Sequence, residues 1–330
     1  MRNKTVDALK GYAIILVVLG HVIENNIYNN LDNKIFQFIY SFHMPLFMFL
    51  SGYIIFGTVK KPWSKWLWSK VERLLIPFFI WFLIWSIYKQ FDFIHFSFIN
   101  GMSGVEAYFL NGIADPTITL WFLMVLFIFY CILLMIKYLE RYLGYFSYIW
   151  ILLFLYILPV QNIWLIYLQW YYAFFFIGYL MAEHRDKLPI VNAKIKLLSC
   201  VSFIALFSLY PHRQYIYDVG ITSPALFPFK FLIACLGIAA SYSLISWLSD
   251  KWISPLLSYL GLYTLDIYVL HAMFFSWGLG IYLALFSRWN FGIYPELIFV
   301  TLFALLFSLS ISWALRFSPT LKFVLFGSKK

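Results

Sequence analysis

Charged side chains are scarce in this sequence. Asp, Glu, Lys and Arg make up 12% of its 330 residues, against about 25% in an ordinary soluble domain. Hydrophobic residues reach 63% and the mean hydropathy is +0.83. One soluble core cannot hide that much apolar surface, so a soluble globular class is excluded. Cysteine is nearly absent: Cys131, Cys200 and Cys235 each sit inside an apolar run. Their spacing matches no metal motif and no disulfide framework, and they read as small core residues. A P-loop, a Rossmann glycine pattern, paired cysteines and a G-x-S-x-G elbow are all missing. Their absence removes the familiar signatures of nucleotide-dependent, redox and serine-hydrolase chemistry. Acidic residues are outnumbered 14 to 24, giving a net charge of +10. In a soluble chain that balance would raise nucleic acid as a partner. In a chain this apolar the basic residues first set topology, and no nucleic acid is expected.

What is present is a series of apolar stretches of helical length, too long and too uniform for alternating barrel strands. Ten candidate spans fall at roughly 6–23, 36–57, 74–89, 118–137, 145–160, 164–182, 196–210, 226–248, 259–285 and 294–316. The fold class expected is therefore an all-α integral membrane protein, a bundle of about ten transmembrane helices. Arg2 and Lys4 precede the first span as in a signal peptide. No small-residue cleavage site follows, and Asp7 and Lys10 interrupt the run, so it reads as a retained span. With the N-terminus inside, 19 of the 24 Lys and Arg fall on the inner side. That asymmetry predicts cytoplasmic termini at both ends and a multi-pass protein of the bacterial cytoplasmic membrane. The longest outer loop, about 90–117, carries Asp92, Glu106 and Asp115 and no Lys or Arg. Residues 1–330 read as one transmembrane domain with no appended soluble domain.

Polar side chains inside these spans are the candidates for chemistry, because a titratable group in a membrane helix normally faces protein or a water-filled cavity. The first span, VDALKGYAIILVVLGHVI, carries Asp7, Lys10 and His21. Eleven residues are three turns plus roughly 20°, so Lys10 and His21 share one face about 16 Å apart, and Asp7 joins the same stripe. Lys10 alone fits a snorkelling interfacial lysine, and His21 alone fits a hydrogen-bonded core histidine. In phase on one helix, they point to a lined cavity. His43 in the second span, at a depth similar to His21, is followed by Pro45, which can start or kink a helix. Ser51 and Gly52 are small residues of the type found at close helix contacts. The most basic inner loop contains Lys70-Val71-Glu72-Arg73, which fits either anionic lipid or the phosphates of a soluble donor. Trp121 opens the fourth span and fits an interfacial anchor. Asp266 and His271 in the ninth span lie about 140° apart, so each needs its own polar partner. His95, His184 and His212 sit in loops.

Taken together, these residues resemble the membrane acyltransferase 3 family, in particular its sugar O-acetylases of the fucose 4-O-acetylase-like type. The likeness rests on Asp7-Ala8-Leu9-Lys10-Gly11 running to Val17-Val18-Leu19-Gly20-His21, with a basic residue and His separated by ten. Phe42 to Tyr53 carries it further, and Leu120-Trp121-Phe122-Leu123 and the stretch ending in His271 carry it more weakly. Where the family often has Arg-x-x-Arg after span two, this chain has Lys70 and Arg73, and a lysine lacks the bidentate fork for phosphate. The resemblance implies transfer of an acetyl or other acyl group from acyl-CoA, with no permanently bound cofactor. The acceptor would be a hydroxyl of an O-antigen, capsule or exopolysaccharide precursor. It implies His21 and Lys10 as catalytic residues, acyl-CoA at Lys70 and Arg73, and Asp7, His43, Ser51, Trp121, Asp266 and His271 in support. A polar stripe with aromatic rings also fits a polysaccharide transporter or flippase, or a non-catalytic subunit of a glycan synthase.

Overall fold

The computed structural model describes residues 3–92, 97–115, 120–159, 163–187, 192–209, 226–289 and 291–328. His95 and His212, and Arg2, Arg213, Lys329 and Lys330 of the charge count, lie outside the described residues. The chain forms α1 (Lys4–Asn26), α2 (Lys34–Tyr40), α3 (His43–Ile55), α4 (Trp63–Lys70), α5 (Ile76–Gln90) and α6 (Gly101–Ala114). It continues through α7 (Trp121–Leu143), α8 (Phe146–Ile157), α9 (Ile163–Glu183), α10 (Ala193–Leu209) and α11 (Phe227–Trp247). It ends with α12 (Ile253–Leu260), α13 (Thr264–Leu270), α14 (Phe275–Phe286), α15 (Ile293–Leu315) and α16 (Pro319–Phe326). Phe91–Asp92 and Ser97–Phe98 form a two-residue antiparallel pair, and α6 occupies about half of the stretch expected to be an outer loop.

Eight helical stretches among the described residues are long and apolar enough to cross a membrane. They coincide with the first four expected spans and with the sixth, eighth, ninth and tenth. The chain is an all-α, multi-pass membrane protein. The fifth expected span is α8, an apolar helix of 12 residues, which reaches only about 18 Å against a hydrocarbon core of about 30 Å. The seventh is α10, of 17 residues.

Two of the crossings are broken by irregular turns, and a third carries a π-helical turn. Between α2 and α3 the backbone departs from helix at Phe42 (φ −148°, ψ −14°), and Pro45 sits in the first turn of α3, where its missing N–H leaves nothing unpaired. Between α13 and α14 the residues His271–Phe274 form a tight 3-10 turn. Val71–Leu75 form one π-helical turn that joins α4 to α5. Lys70 and Arg73 therefore lie on a continuous helical stretch, Trp63–Gln90, and not in a loop as expected. Lys65, Lys70 and Arg73 interrupt the apolar run without interrupting the helix, because Lys and Arg are good helix formers.

The chain divides into two compact units, Met1–Phe56 with Phe174–Ala314, and Gly57–Ala173 with Leu315–Lys330. In the first unit α1 lies directly on α12. A side chain at Gly11 would collide with the Leu257 carbonyl, and one at Gly261 with the Asp7 carbonyl. Small residues are what allow two membrane helices to approach this closely. Polar side chains fasten other pairs: Ser312 on α15 donates to the Asp266 carboxylate on α13, and Ser199 on α10 pairs with Ser243 on α11 at 2.9 Å. In the second unit the Trp81 indole donates to the Leu325 carbonyl at 2.7 Å, tying α5 to α16. Gln169 and Tyr172 on α9 donate to the Leu155 and Tyr148 carbonyls of α8, at 2.7 and 2.8 Å.

Candidate active site

The first unit gathers three histidines, a glutamate and a tyrosine. His21 and Glu24 are three residues apart on α1 and so share a face. The His21 Nδ1–H donates to Glu24 Oε2 at 3.0 Å, and the Tyr40 hydroxyl donates to the same oxygen at 2.7 Å. Tyr40, the last residue of α2, fits edge-on to the His21 ring because residue 20 is glycine. A Cβ there would come within 3.0 Å of the Tyr40 ring. The end of α1 that carries the pair is secured by two asparagines. Asn25 donates to the His21 carbonyl at 2.7 Å and Asn30 to the Glu24 carbonyl at 3.2 Å, the latter satisfying a carbonyl the helix end leaves open.

The carboxylate decides the tautomer. With Nδ1–H given to Glu24, the lone pair of a neutral His21 is on Nε2. The His21 side chain keeps 36% of its surface open, so the ring can be approached by a substrate. An imidazole oriented by a carboxylate, with its second nitrogen free, is the arrangement that general-base chemistry needs.

The two other histidines have the same polarity. His43 Nδ1–H donates to the Ile39 carbonyl at 2.8 Å, and His271 Nδ1–H to the Ile267 carbonyl at 3.0 Å. In its neutral form each therefore carries its lone pair on Nε2. The His271 ring lies 5.4 Å from the His21 ring at a tilt of 33°, and the His43 ring lies 4.7 Å from the Tyr40 ring. His43 and His271 are both buried. The breaks in the second and ninth crossings fall at these histidines, so each ring leaves its helix at an irregular turn.

Lys10 and Asp7 occupy the opposite end of the α1 stripe. The Lys10 Nζ lies 3.9 Å from Asp7 Oδ1, beside the close α1–α12 crossing. Asp266 is buried and bonded to Ser312, one turn before His271. Ser51 donates to the Phe47 carbonyl one turn back at 2.8 Å, and its neighbour Gly52 packs on the Phe175 backbone of α9.

The remaining expected residues belong to the second unit. Lys70 is 9% exposed, and its ammonium lies 5.2 Å from the Trp66 ring centroid and 5.9 Å from that of Tyr130. That is cation–π geometry, which holds a cation without using up its hydrogen-bond donors. Arg73 is exposed, and the Gly327 backbone, at φ +59°, packs against its main chain. The Trp121 ring lies 4.5 Å from Tyr167 and stacks on Tyr171 at 5.2 Å, so it belongs to an aromatic cluster and not to a lone anchor.

Comparison with known proteins gives this arrangement a lineage. A family model described as an acyltransferase domain matches residues 3–317. The chain belongs to the membrane acyltransferase 3 family. Nodulation protein NolL of Sinorhizobium fredii is 40% identical over 127 residues, which is 37% of this chain and 33% of that protein. Nodulation protein NolL of Mesorhizobium japonicum is 37% identical over 92 residues, 26% of this chain and 25% of that protein. The match thus spans a third or less of the length of these two curated relatives. No solved structure matches the chain. Glu24 and Tyr40 join the candidate site through their bonds around His21, and the sequence reading missed both. The signal for Glu24 was there, three residues after His21 on one helix face; nothing marked Tyr40 among 25 tyrosines.

Proposed function

We propose that this chain is a membrane O-acyltransferase that moves an acetyl group from acyl-CoA to a hydroxyl of a glycan. The observation that carries this reading is His21, held through Nδ1 by Glu24 with its side chain partly exposed. A sugar hydroxyl is a weak nucleophile until a base takes its proton. His21 Nε2 accepts that proton as the hydroxyl oxygen attacks the thioester carbonyl, and Glu24 stabilises the imidazolium that forms. When the tetrahedral intermediate collapses, the C–S bond breaks and the Nε2 proton goes to the departing thiolate. Thioester and alcohol become ester and CoA thiol, with no other reactant needed.

Donor binding falls to cations. Arg73 is exposed and presents a guanidinium fork suited to phosphate. Lys70, held under Trp66 and Tyr130, adds positive charge. Lys10, paired with Asp7 on the same stripe as His21, orients the donor or offsets its charge. The acyl-CoA is supplied from the cytoplasm, where the basic loops and both termini are placed by the charge asymmetry. The acceptor is a polysaccharide or lipid-linked glycan precursor, and the membrane is the bacterial cytoplasmic membrane.

Proteoliposomes containing only this protein test the proposal. Acetyl-CoA with an added envelope glycan should yield free CoA and a glycan heavier by one acetyl group, and omission of the glycan should suppress CoA release. Glycan movement across the vesicle membrane without CoA release would make the protein a transporter instead.

A further inference from the structure

We infer that His271 binds a second hydroxyl of the acceptor, so that the site takes a sugar with two adjacent hydroxyls and acylates one of them. The inference rests on the acyl-transfer role of His21 proposed above, and it begins from an atom without a partner. His271 Nε2 is buried and makes no hydrogen bond among the described residues. The residue is 4% exposed, so the atom is shut off from bulk solvent. Leaving a buried acceptor unmade is costly, and such a group calls for an explanation; unlike the other buried unpartnered atoms, this one belongs to a ring beside His21.

The geometry says where that ligand lies. His271 Nδ1–H is spent on the Ile267 carbonyl of its own helix, at 3.0 Å. Nε2, across the ring, therefore faces away from that backbone. The His271 ring is bordered by His21 at 5.4 Å, Phe275 at 5.5 Å and Tyr268 at 6.2 Å. Its tautomer makes Nε2 a pure acceptor, so it needs an O–H or N–H donor. The hydroxyl being acylated has one proton, and His21 takes it. A second O–H on the same substrate lies within reach of a ring 5.4 Å from His21 and supplies the donor.

Adjacent gauche hydroxyls on a pyranose meet this condition. Their oxygens lie roughly one hydrogen-bond length apart, and each can donate to one imidazole over about 2.8 Å. The two nitrogens then grip neighbouring hydroxyls, one reactive and one anchoring. A site built to satisfy a buried polar atom discriminates strongly against the analogue that lacks the matching hydroxyl.

The test uses purified protein in proteoliposomes, acetyl-CoA, and three methyl glycosides: methyl α-L-fucoside, methyl α-D-galactoside and methyl α-L-rhamnoside. Each carries adjacent gauche hydroxyls, and each is compared with its two monodeoxy derivatives at those positions. The expected result is a kcat/KM for the best diol at least about tenfold above that of the deoxy derivative that retains the acylated hydroxyl. In His271→Ala that ratio should collapse toward one. His271→Gln, whose side-chain oxygen is again an acceptor, should restore a ratio above that of the alanine variant. Equal loss for diol and deoxy acceptors in His271→Ala, or a wild-type ratio near one, would overturn the inference while leaving His21 as the base. Absence of CoA release and acetyl transfer with every acceptor, in wild-type protein, would instead overturn the acyltransferase reading beneath it.

Discussion

At the scale of single residues the site depends on Glu24, which gives His21 its direction. Replacing the carboxylate by an amide keeps the size of the side chain but removes the charge that favours imidazolium. An amide can also donate to Nδ1 and so invert the tautomer. Glu24→Gln should therefore lower kcat for acetyl transfer by about 10²–10⁴-fold, with KM for acetyl-CoA little changed, as measured by CoA release under saturating acceptor. A KM effect with normal kcat would place Glu24 in donor binding. The first member of this pair was legible in the sequence because a histidine stands out in an apolar run and is in phase with Lys10. Glu24 was not, because it follows the apolar run at its outer end, where an acidic residue reads as the start of a loop. Tyr40 reaches the pair from another helix, 16 residues on from Glu24, and a contact made by tertiary packing leaves no periodic mark.

At the scale of elements, irregular turns place the functional groups. The breaks near His43 and His271 free two imidazoles from regular helix, and a π-helical turn follows Lys70. Such turns are disproportionately found at functional positions. The break at His43 was legible from Pro45. The π turn was not, because Val71–Leu75 has the composition of an ordinary helix, and the basic residues around it read as a loop. The segment bearing His271 is pinned by Asp266, whose buried carboxylate accepts from Ser312 across to α15. Interhelical hydrogen bonds in membranes contribute about 0.6 kcal/mol and up to about 2 kcal/mol. Asp266→Ala should destabilise the first unit by about 1–2 kcal/mol, seen as a lower melting temperature in detergent, and Asp266→Asn, which retains an acceptor oxygen, should recover most of it. An unchanged melting temperature in Asp266→Ala would remove this pin from the description.

At the scale of the molecule, the composition announced a multi-pass helical membrane protein, and the eight long apolar helices agree with it. The chain's division was hidden: residues 1–56 fold with 174–314, while 57–173 fold with the C-terminal stretch. Contiguous hydropathy carries no information about which spans pack together. The division allots the expected residues to two groups, the histidine cluster with Lys10 and Asp7 in one unit, and Lys70, Arg73 and Trp121 in the other. If the second group binds the donor's phosphates, Arg73→Ala should raise KM for acetyl-CoA about tenfold, a loss of about 1.4 kcal/mol, and leave the response to acceptor concentration unchanged. The same KM as wild type would return the basic segment to lipid contact. The most direct measurement of all compares wild-type and His21→Ala protein, at equal abundance in proteoliposomes, for acetyl-CoA-dependent acetylation of an envelope glycan read by mass spectrometry. Loss of about 10²–10⁴-fold in rate is the predicted result for the variant; transfer at the wild-type rate would contradict the assignment of His21 as the base.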